Sequence, residues 1–582
     1  MLSIVQIQRH VRRPERALTK KILIRRLSCL SKYWKKTPED AAALTLAGDI
    51  YAARNEASLS IGYYALAVQA QPANIVYKRQ FISAAGSMAF AAHNPLMEKI
   101  LLLCLETPEL ECAHAQILWY TLLRTRPDFL RLLTEVFKKG AFDSVADLSP
   151  LLQPVFFTGI KRIVAGNVEF EQFMTWLRQF LLRQSTASKR KFPADHELIL
   201  IEAVAQYCFN TNYIFECTAE EEASITALRV KLENDAAAQQ DPMTVGLYAC
   251  YEPLYKLKMA KHLATQSSLS VIGEVVKAQL NDCLDLQERA AKIPTLTGIT
   301  DEVSLKVQEQ YEEFPYPVWR ELQADTGASN ANLRRLNQAG LKILVAGCGT
   351  GKEPLTIARD CPAAPVLAID LSRISLAYAA GKAGALGIKN VEFFHADILQ
   401  LGSLERTFDV IVSMGVLHHM KEPAKGWEIL AGRLKPGGIM NIGLYSALAR
   451  KAIVEAREAI RAGNYPSTAE GIRRFRKDHR AALTGAHDTI FDTRDYYHLN
   501  ACRDFLFHVQ EHQLTLPQIK AILNDLNLAF VEMLVPETVM QYYRQYFPDD
   551  PKGKNLDNWN RMEQANTHMF KHMYKFSCRK KV

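Results

Sequence analysis

Three glycines at alternate positions, Gly347, Gly349 and Gly351, end the apolar run Ile343-Leu344-Val345-Ala346, and a helical pattern begins at Glu353. Nineteen residues beyond Gly351 a second apolar run, Pro365 to Ile369, ends in Asp370. Glycines let backbone approach a ligand closely, and a carboxylate closing the next strand can accept hydrogen bonds from two ribose hydroxyls. The chemistry implied is the binding of a nucleotide-like molecule. A dinucleotide fingerprint would need glycine at 352, where the chain has Lys352. A phosphate loop of the G-x-x-x-x-G-K-[ST] kind would need glycine at 346 and Ser or Thr at 353, where Ala346 and Glu353 stand. The spacing that remains is G-x-G-x-G.

The elements that must position these residues can be read from the same region. Val391 to Asp397 reads as a third strand ending in an acid, and Phe408 to Met414 as a fourth, followed by Gly415-Val416-Leu417-His418-His419. Leu434-Lys435-Pro436-Gly437-Gly438 is a turn that opens a fifth strand, Ile439 to Leu444. Helical stretches separate these runs, a pattern of alternating β and α that predicts a mostly parallel sheet. Every polar residue singled out falls at a strand's C-terminal end, where open α/β sheets bind ligands. Leu516 to Leu526 predicts a further helix, Ala529 to Val535 a sixth strand, and Met573 to Arg579 a closing antiparallel strand.

With its G-x-G-x-G loop and strand-end acids, the region from 300 to 582 resembles the class I S-adenosylmethionine-dependent methyltransferases, a Rossmann-like α/β fold with a seven-stranded sheet. The resemblance implies S-adenosyl-L-methionine as cofactor, with Gly347, Gly349 and Gly351 cradling its amino-acid end. It implies that Asp370 holds the ribose and that Asp397, with apolar Ile398 beside it, faces the adenine amino group. Ser413 and Met414 would line the methionine arm. A strand-end Asp can also serve only as the N-cap of the next helix, a reading that stays open for Asp397.

Methyl transfer from a sulfonium is an in-line displacement, and alignment alone supplies effective molarities of about 10⁵–10⁸ M. No dedicated catalytic side chain is required, but an amine or phenol acceptor must lose a proton. His418 and His419 stand where that base is needed, although one of them could instead cap the strand end or contact the cofactor. Upstream, Val307 to Trp319 forms a short helix ending in Phe314-Pro315-Tyr316-Pro317, too stiff and apolar for a linker. It resembles the leader of bacterial methyltransferases fused to tetratricopeptide repeats, which implies closure over the cofactor by Tyr311, Tyr316 and Trp319. Aromatic faces suit a sulfonium, and Tyr316 is the third catalytic candidate; plain packing on the sheet edge is the alternative.

His508-Val509-Gln510-Glu511-His512 fits the H-x-x-E-H pattern of inverted zinc proteases. Leu514 and Pro517 follow too closely for a helix presenting both histidines, so no metal site is expected; the run Phe507 to His512 also resembles the tetratricopeptide-linked methyltransferases, which implies that it lines the acceptor pocket. A helical insertion over about 447–500 carries Arg450, Lys451, Arg457, Arg461, Arg473, Arg474, Arg476, Lys477 and Arg480. The interspersed Glu455, Glu458, Glu470 and Asp478 favour a solvated helix surface over a nucleic-acid site.

The first half differs in kind. Residues 37–292 alternate helical patterns with short turns, and Leu44, Ala47, Gly48, Tyr51, Tyr64, Ala67 and Pro72 fit one 34-residue tetratricopeptide unit, with Ser60 where alanine is usual. The expectation is an all-helical, TPR-like array that binds a protein or peptide partner or forms a dimer scaffold. At 582 residues the chain accommodates two or three domains. Its net charge of +9 resides in the arm 1–36, which holds eleven Lys or Arg and one acid. Eleven cysteines without a C-x-x-C suit a reducing compartment, and a cytoplasmic location is expected. No apolar run reaches the ~20 residues needed to span a bilayer.

Overall fold

The computed structural model describes residues 40–184, 191–313, 315–322, 340–483, 490 and 493–582. The basic arm 1–36 and Phe314 of the leader lie outside the described residues. Two compact units emerge. One comprises the described residues up to Asn210 together with Pro242–Tyr251; the other comprises Thr211–Asp241 with Glu252–Val582. The boundary therefore differs from a division at 292. The helix Asp282–Ala291 belongs to the second unit, because Ala290 and Ile293 join the hydrophobic cluster on one face of its sheet.

The second unit is built on seven strands: β1 Ile343–Ala346, β2 Val366–Asp370, β3 Val391–His395, β4 Phe408–Met414, β5 Leu434–Leu444, β6 Leu528–Met533 and β7 Tyr574–Lys580. Their order is β3-β2-β1-β4-β5-β7-β6. All pairings are parallel except those of β7, which runs antiparallel to both β5 and β6. The period-two alternation of a strand sends Ile343 and Val345 to one hydrophobic cluster and Leu344 and Ala346 to the other. A sheet covered on both faces needs apolar residues at successive positions, which is why β1 reads as a continuous apolar run. Asn441 and Ser577, paired in register, share a buried hydrogen bond of 2.7 Å that pins β7 to β5.

The first unit is helical. Helices Ala41–Ala53 and Ala57–Ala70 meet closely at Gly48, where a Cβ would lie 2.5 Å from the Tyr64 ring. Tyr51 stacks on Tyr63 with ring centroids 5.3 Å apart, and the Tyr64 hydroxyl donates to Asp49 at 2.6 Å. Further helices, among them Val168–Gln184 and Ala194–Asn210, build a core in which Phe129, Phe142, Phe156 and Phe173 pack ring against ring. Among the described residues ten cysteines are free thiols, and no helix is long and apolar enough to cross a membrane.

Candidate active site

The sheet order reverses between β1 and β4, and at their C-terminal ends lies a cavity of about 590 Å³. Such a switch point is the general ligand position of open α/β sheets. Gly347, Gly349 and Gly351 all adopt positive φ, +75°, +51° and +84°. At Gly347 a Cβ would stand 2.3 Å from Val416 and at Gly351 2.4 Å from Ala379, so both positions are closed to side chains. Gly349 has open space instead, its nearest neighbour being the Tyr316 carbonyl at 4.0 Å. The helix Lys352–Asp360 begins directly after this loop, and its N-terminus favours a carboxylate.

Asp370 closes β2 beneath the loop. Its Oδ2 accepts from the Gly349 N–H at 2.7 Å and its Oδ1 from the Ser372 N–H at 3.0 Å. Burial raises its carboxyl, and these backbone donors oppose the rise. Asp397 follows β3, its Oδ1 accepting from the Leu399 N–H at 2.9 Å as an N-cap, while Oδ2 is buried without a hydrogen-bond partner. Both N-capping and ligand-facing roles are thus open to one side chain, because Asp397 and Ile398 both line the cavity. An unpartnered buried acceptor suits an amino group, as expected for adenine.

The leader crosses the loop. Its helix Glu302–Glu312 puts Tyr311 in the cavity wall, and the Tyr311 carbonyl accepts from Ser372 Oγ at 3.0 Å. Thr350 Oγ1 donates to the Pro317 carbonyl at 2.5 Å, and Trp319 Nε1 donates to the Thr350 carbonyl at 3.0 Å. Tyr316 lines the cavity; Trp319 does not, and packs edge-on against Tyr378.

Of the loop glycines Gly347 and Gly349 line the cavity and Gly351 does not; at the end of β4 and just beyond it the wall includes Met414 and His419 but not Ser413 or His418. Strand alternation explains Ser413: Val412 and Met414 face the cavity, and Ser413 lies between them, fully buried. His418 is also fully buried, 4.0 Å centroid to centroid from Tyr445, and burial drives its imidazole well below the usual range. A base role for His418 would need a path to the cavity that the packing does not provide. His419 Nδ1 meets the Gln510 carbonyl at 2.8 Å; a carbonyl only accepts, so Nδ1 carries the proton and Nε2 keeps its lone pair. Burial lowers its pKa as well, with Asp504 and Glu511 opposing.

Asp504 and Tyr445 are among the residues of this wall that the sequence does not point to. Tyr445 sits one place beyond β5, a strand-end position like the others, whereas Asp504 lies in the helix Leu499–Leu506 with no local signal. The Tyr311 hydroxyl donates to Asp504 Oδ1, and His508 Nε2 stands 4.0 Å from the same oxygen. One ligand-type atom from each of His419, Asp504 and His508 lies within 4.8 Å of the others. In this arrangement the two rings stack rather than converge, with centroids 3.7 Å apart and planes inclined by 21°. An imidazole lone pair lies in its ring plane, and two nearly parallel planes so spaced share no point at a metal–nitrogen distance of ~2.0–2.1 Å.

The H-x-x-E-H run is not helical, and its Glu511 is used elsewhere. Glu511 accepts from Arg450 Nε and Nη2, each at 2.9 Å, and pairs with Arg457 at 3.1 Å, with no exposed side-chain surface. The cationic insertion is accordingly not a uniformly solvated surface. Arg473 donates to the Tyr213 carbonyl, and Arg476 is buried over the Tyr496 ring at 4.3 Å. Lys451, Arg461, Arg474 and Lys477 are the exposed members.

Residues 343–438 match the family model described as a methyltransferase domain. The chain is 33% identical over 177 residues to an uncharacterised protein of Synechococcus sp., covering 28% of this chain and 42% of that one. It is 33% identical over 105 residues to trans-aconitate 2-methyltransferase of Deinococcus radiodurans, covering 17% of this chain and 36% of that enzyme. The chain thus spans less than half the length of these relatives. The solved structure of PKMT2 from Rickettsia typhi in complex with AdoHcy is similar at 18% identity and a TM-score of 0.30, covering 48% of this chain and 52% of that chain. The chain carries a methyltransferase domain whose cofactor is S-adenosylmethionine.

Proposed function

We propose that the protein transfers the methyl group of S-adenosylmethionine to a protein side chain. The observation that carries the reading is a single cavity bounded at one side by the glycine loop, Asp370 and Asp397, and at another by Tyr311, Tyr316, His419 and Asp504. The cofactor supplies an electrophilic methyl on sulfur. Asp370 and Asp397 hold its nucleoside, the positive-φ loop and the following helix N-terminus hold its amino-acid end, and Met414 flanks it. His419, with Nδ1–H fixed on the Gln510 carbonyl, offers Nε2 to take a proton from the acceptor. The helical first unit, read as TPR-like, supports a macromolecular acceptor, since such arrays bind peptides and protein surfaces. A cofactor-binding scaffold without methyl transfer and a small-molecule methyltransferase are the competing readings.

Calorimetry with S-adenosylmethionine and Asp370→Ala tests the cofactor half. A carboxylate hydrogen bond contributes about 1.5–3 kcal/mol, so affinity should fall roughly 10- to 150-fold. Binding that ignores the substitution removes the basis for the reading. Incubation with methyl-labelled cofactor and fractionated cell extract then reads the acceptor: label in protein supports transfer to a side chain, and label only in small molecules overturns it.

A further inference from the structure

Charge around Asp504 is unbalanced. Its side chain is 20% exposed and lines the cavity, and the Tyr311 hydroxyl is its hydrogen-bond donor. The groups facing it are His419, His508, Glu511, Arg450, Arg457, Asp495, Tyr316 and Tyr445. Glu511 engages both Arg450 and Arg457, and Arg450 also lies 3.6 Å over the Tyr445 ring. Those two arginines therefore do not form an ion pair with Asp504. Burial, first of all, and repulsion from the neighbouring histidine and arginines keep the His508 imidazole neutral. A second carboxylate, Asp495, accepts from the Tyr316 hydroxyl at 3.3 Å and repels Asp504. The result is a negative corner walled by the rings of Tyr311, Tyr316 and Tyr445.

We infer that this corner binds the acceptor as a cationic amine, with Asp504 as its charge partner and the three tyrosine rings as its walls. The inference rests on the methyl-transfer reading and names its acceptor class. Aromatic faces and a carboxylate both attract an ammonium group. The same carboxylates repel a carboxylate, phosphate or phenolate acceptor. The ammonium first gives a proton to His419 Nε2, and the resulting imidazolium is held by Asp504, a carboxylate oxygen of which lies within 4.8 Å of a ring nitrogen of His419. The freed nitrogen lone pair then forms the N–C bond as the C–S bond breaks, its electron pair passing to sulfur. Positive charge thereby moves from sulfur to nitrogen, and a negative corner beside the nitrogen stabilises that movement.

The test uses the full chain saturated with S-adenosylhomocysteine and three probes of equal length: n-butylammonium, n-butanol and n-butyrate. Titration calorimetry or ligand-observed NMR should show n-butylammonium binding at least tenfold more tightly than either of the others. Asp504→Asn should erase that preference, and Asp504→Glu should retain it, with S-adenosylhomocysteine affinity as the check that both variants fold. Equal binding of the three probes to the wild-type chain overturns the inference while leaving cofactor binding, and with it the methyl-transfer reading, intact. An Asp504→Asn loss confined to S-adenosylmethionine would assign the carboxylate to the sulfonium and also overturn it. Failure of S-adenosylhomocysteine to bind the wild-type chain would instead sink the underlying reading.

Discussion

A carboxylate placed between two backbone N–H groups is fixed before any ligand arrives, and Asp370 is so placed. Its position was legible because strand, glycine turn, helix and strand have nearly fixed lengths. Asp504 was not legible, because its partner Tyr311 is 193 residues away in sequence and no local period connects them. The histidines give a testable pH dependence. His418, His419 and His508 all have folded pKa values below the ordinary ~6.5. In the window from ~6.5 down to those folded values the unfolded chain binds more protons than the folded one. Stability is therefore fully present above that window and falls as pH drops through it. Asp370, Asp397 and Asp504, raised by burial, have the opposite sign, their contribution being lost as pH rises from ~3.8 towards their folded values. Thermal melts between pH 7.5 and 5.5 should show Tm falling with pH, and His508→Gln should flatten the slope. An unchanged slope would show that His508 takes up its proton over the same pH range in the folded and the unfolded chain, and a steeper slope that it is protonated in the fold.

At the scale of elements, periodicity located six of the seven strands to within two residues, but β5 begins at Leu434, so the stretch 434–438 read as a turn lies inside the strand, where its pairing with β4 shifts register. Periodicity also misjudged the insertion. A stripe of arginines alternating with acids looks the same whether it faces water or folds inward onto Glu511, for the deciding partner comes from a different element. The buried Arg450–Glu511–Arg457 cluster binds the helix Lys451–Ala462 to the loop carrying His508 and Gln510. That loop in turn fixes His419 through the Gln510 carbonyl. Removing one member of a buried ion cluster costs about 3–5 kcal/mol, because the remaining charges stay buried. Glu511→Ala should therefore lower Tm by on the order of 10 °C. It should also weaken S-adenosylmethionine binding less than Asp370→Ala does, since Glu511 does not line the cavity. Equal losses of cofactor affinity would show that the loop, and not only the glycine turn, governs the cofactor.

For the whole molecule, type of pattern separates a helical half from an α/β half but does not reveal which core a helix joins. The helix Asp282–Ala291 looks like its helical predecessors, yet Leu286, Ala290 and Ile293 pack into the cluster around Val345, Ala368 and Leu376. Arg373 reinforces the contact by donating to the Ile293 carbonyl and to Thr295 Oγ1, each at 2.5 Å. Residues Pro294 to Leu296 also run beside β3: the His395 N–H donates to the Pro294 carbonyl and the Leu296 N–H to the His395 carbonyl, both at 2.9 Å. A fragment starting at residue 300 would thus lose an edge segment of the sheet and expose the apolar surface beneath the missing helix. Burying one such side chain is worth roughly 1.5–3 kcal/mol, and three of them approach the ~5–15 kcal/mol that holds a whole domain together. The fragment 300–582 should melt far below the intact chain or aggregate, and its S-adenosylhomocysteine affinity should fall with its folded fraction. If it instead melted cooperatively at the temperature of the intact chain, the methyltransferase unit would begin at the glycine-loop side of residue 300, and the helices before it would be an accessory layer.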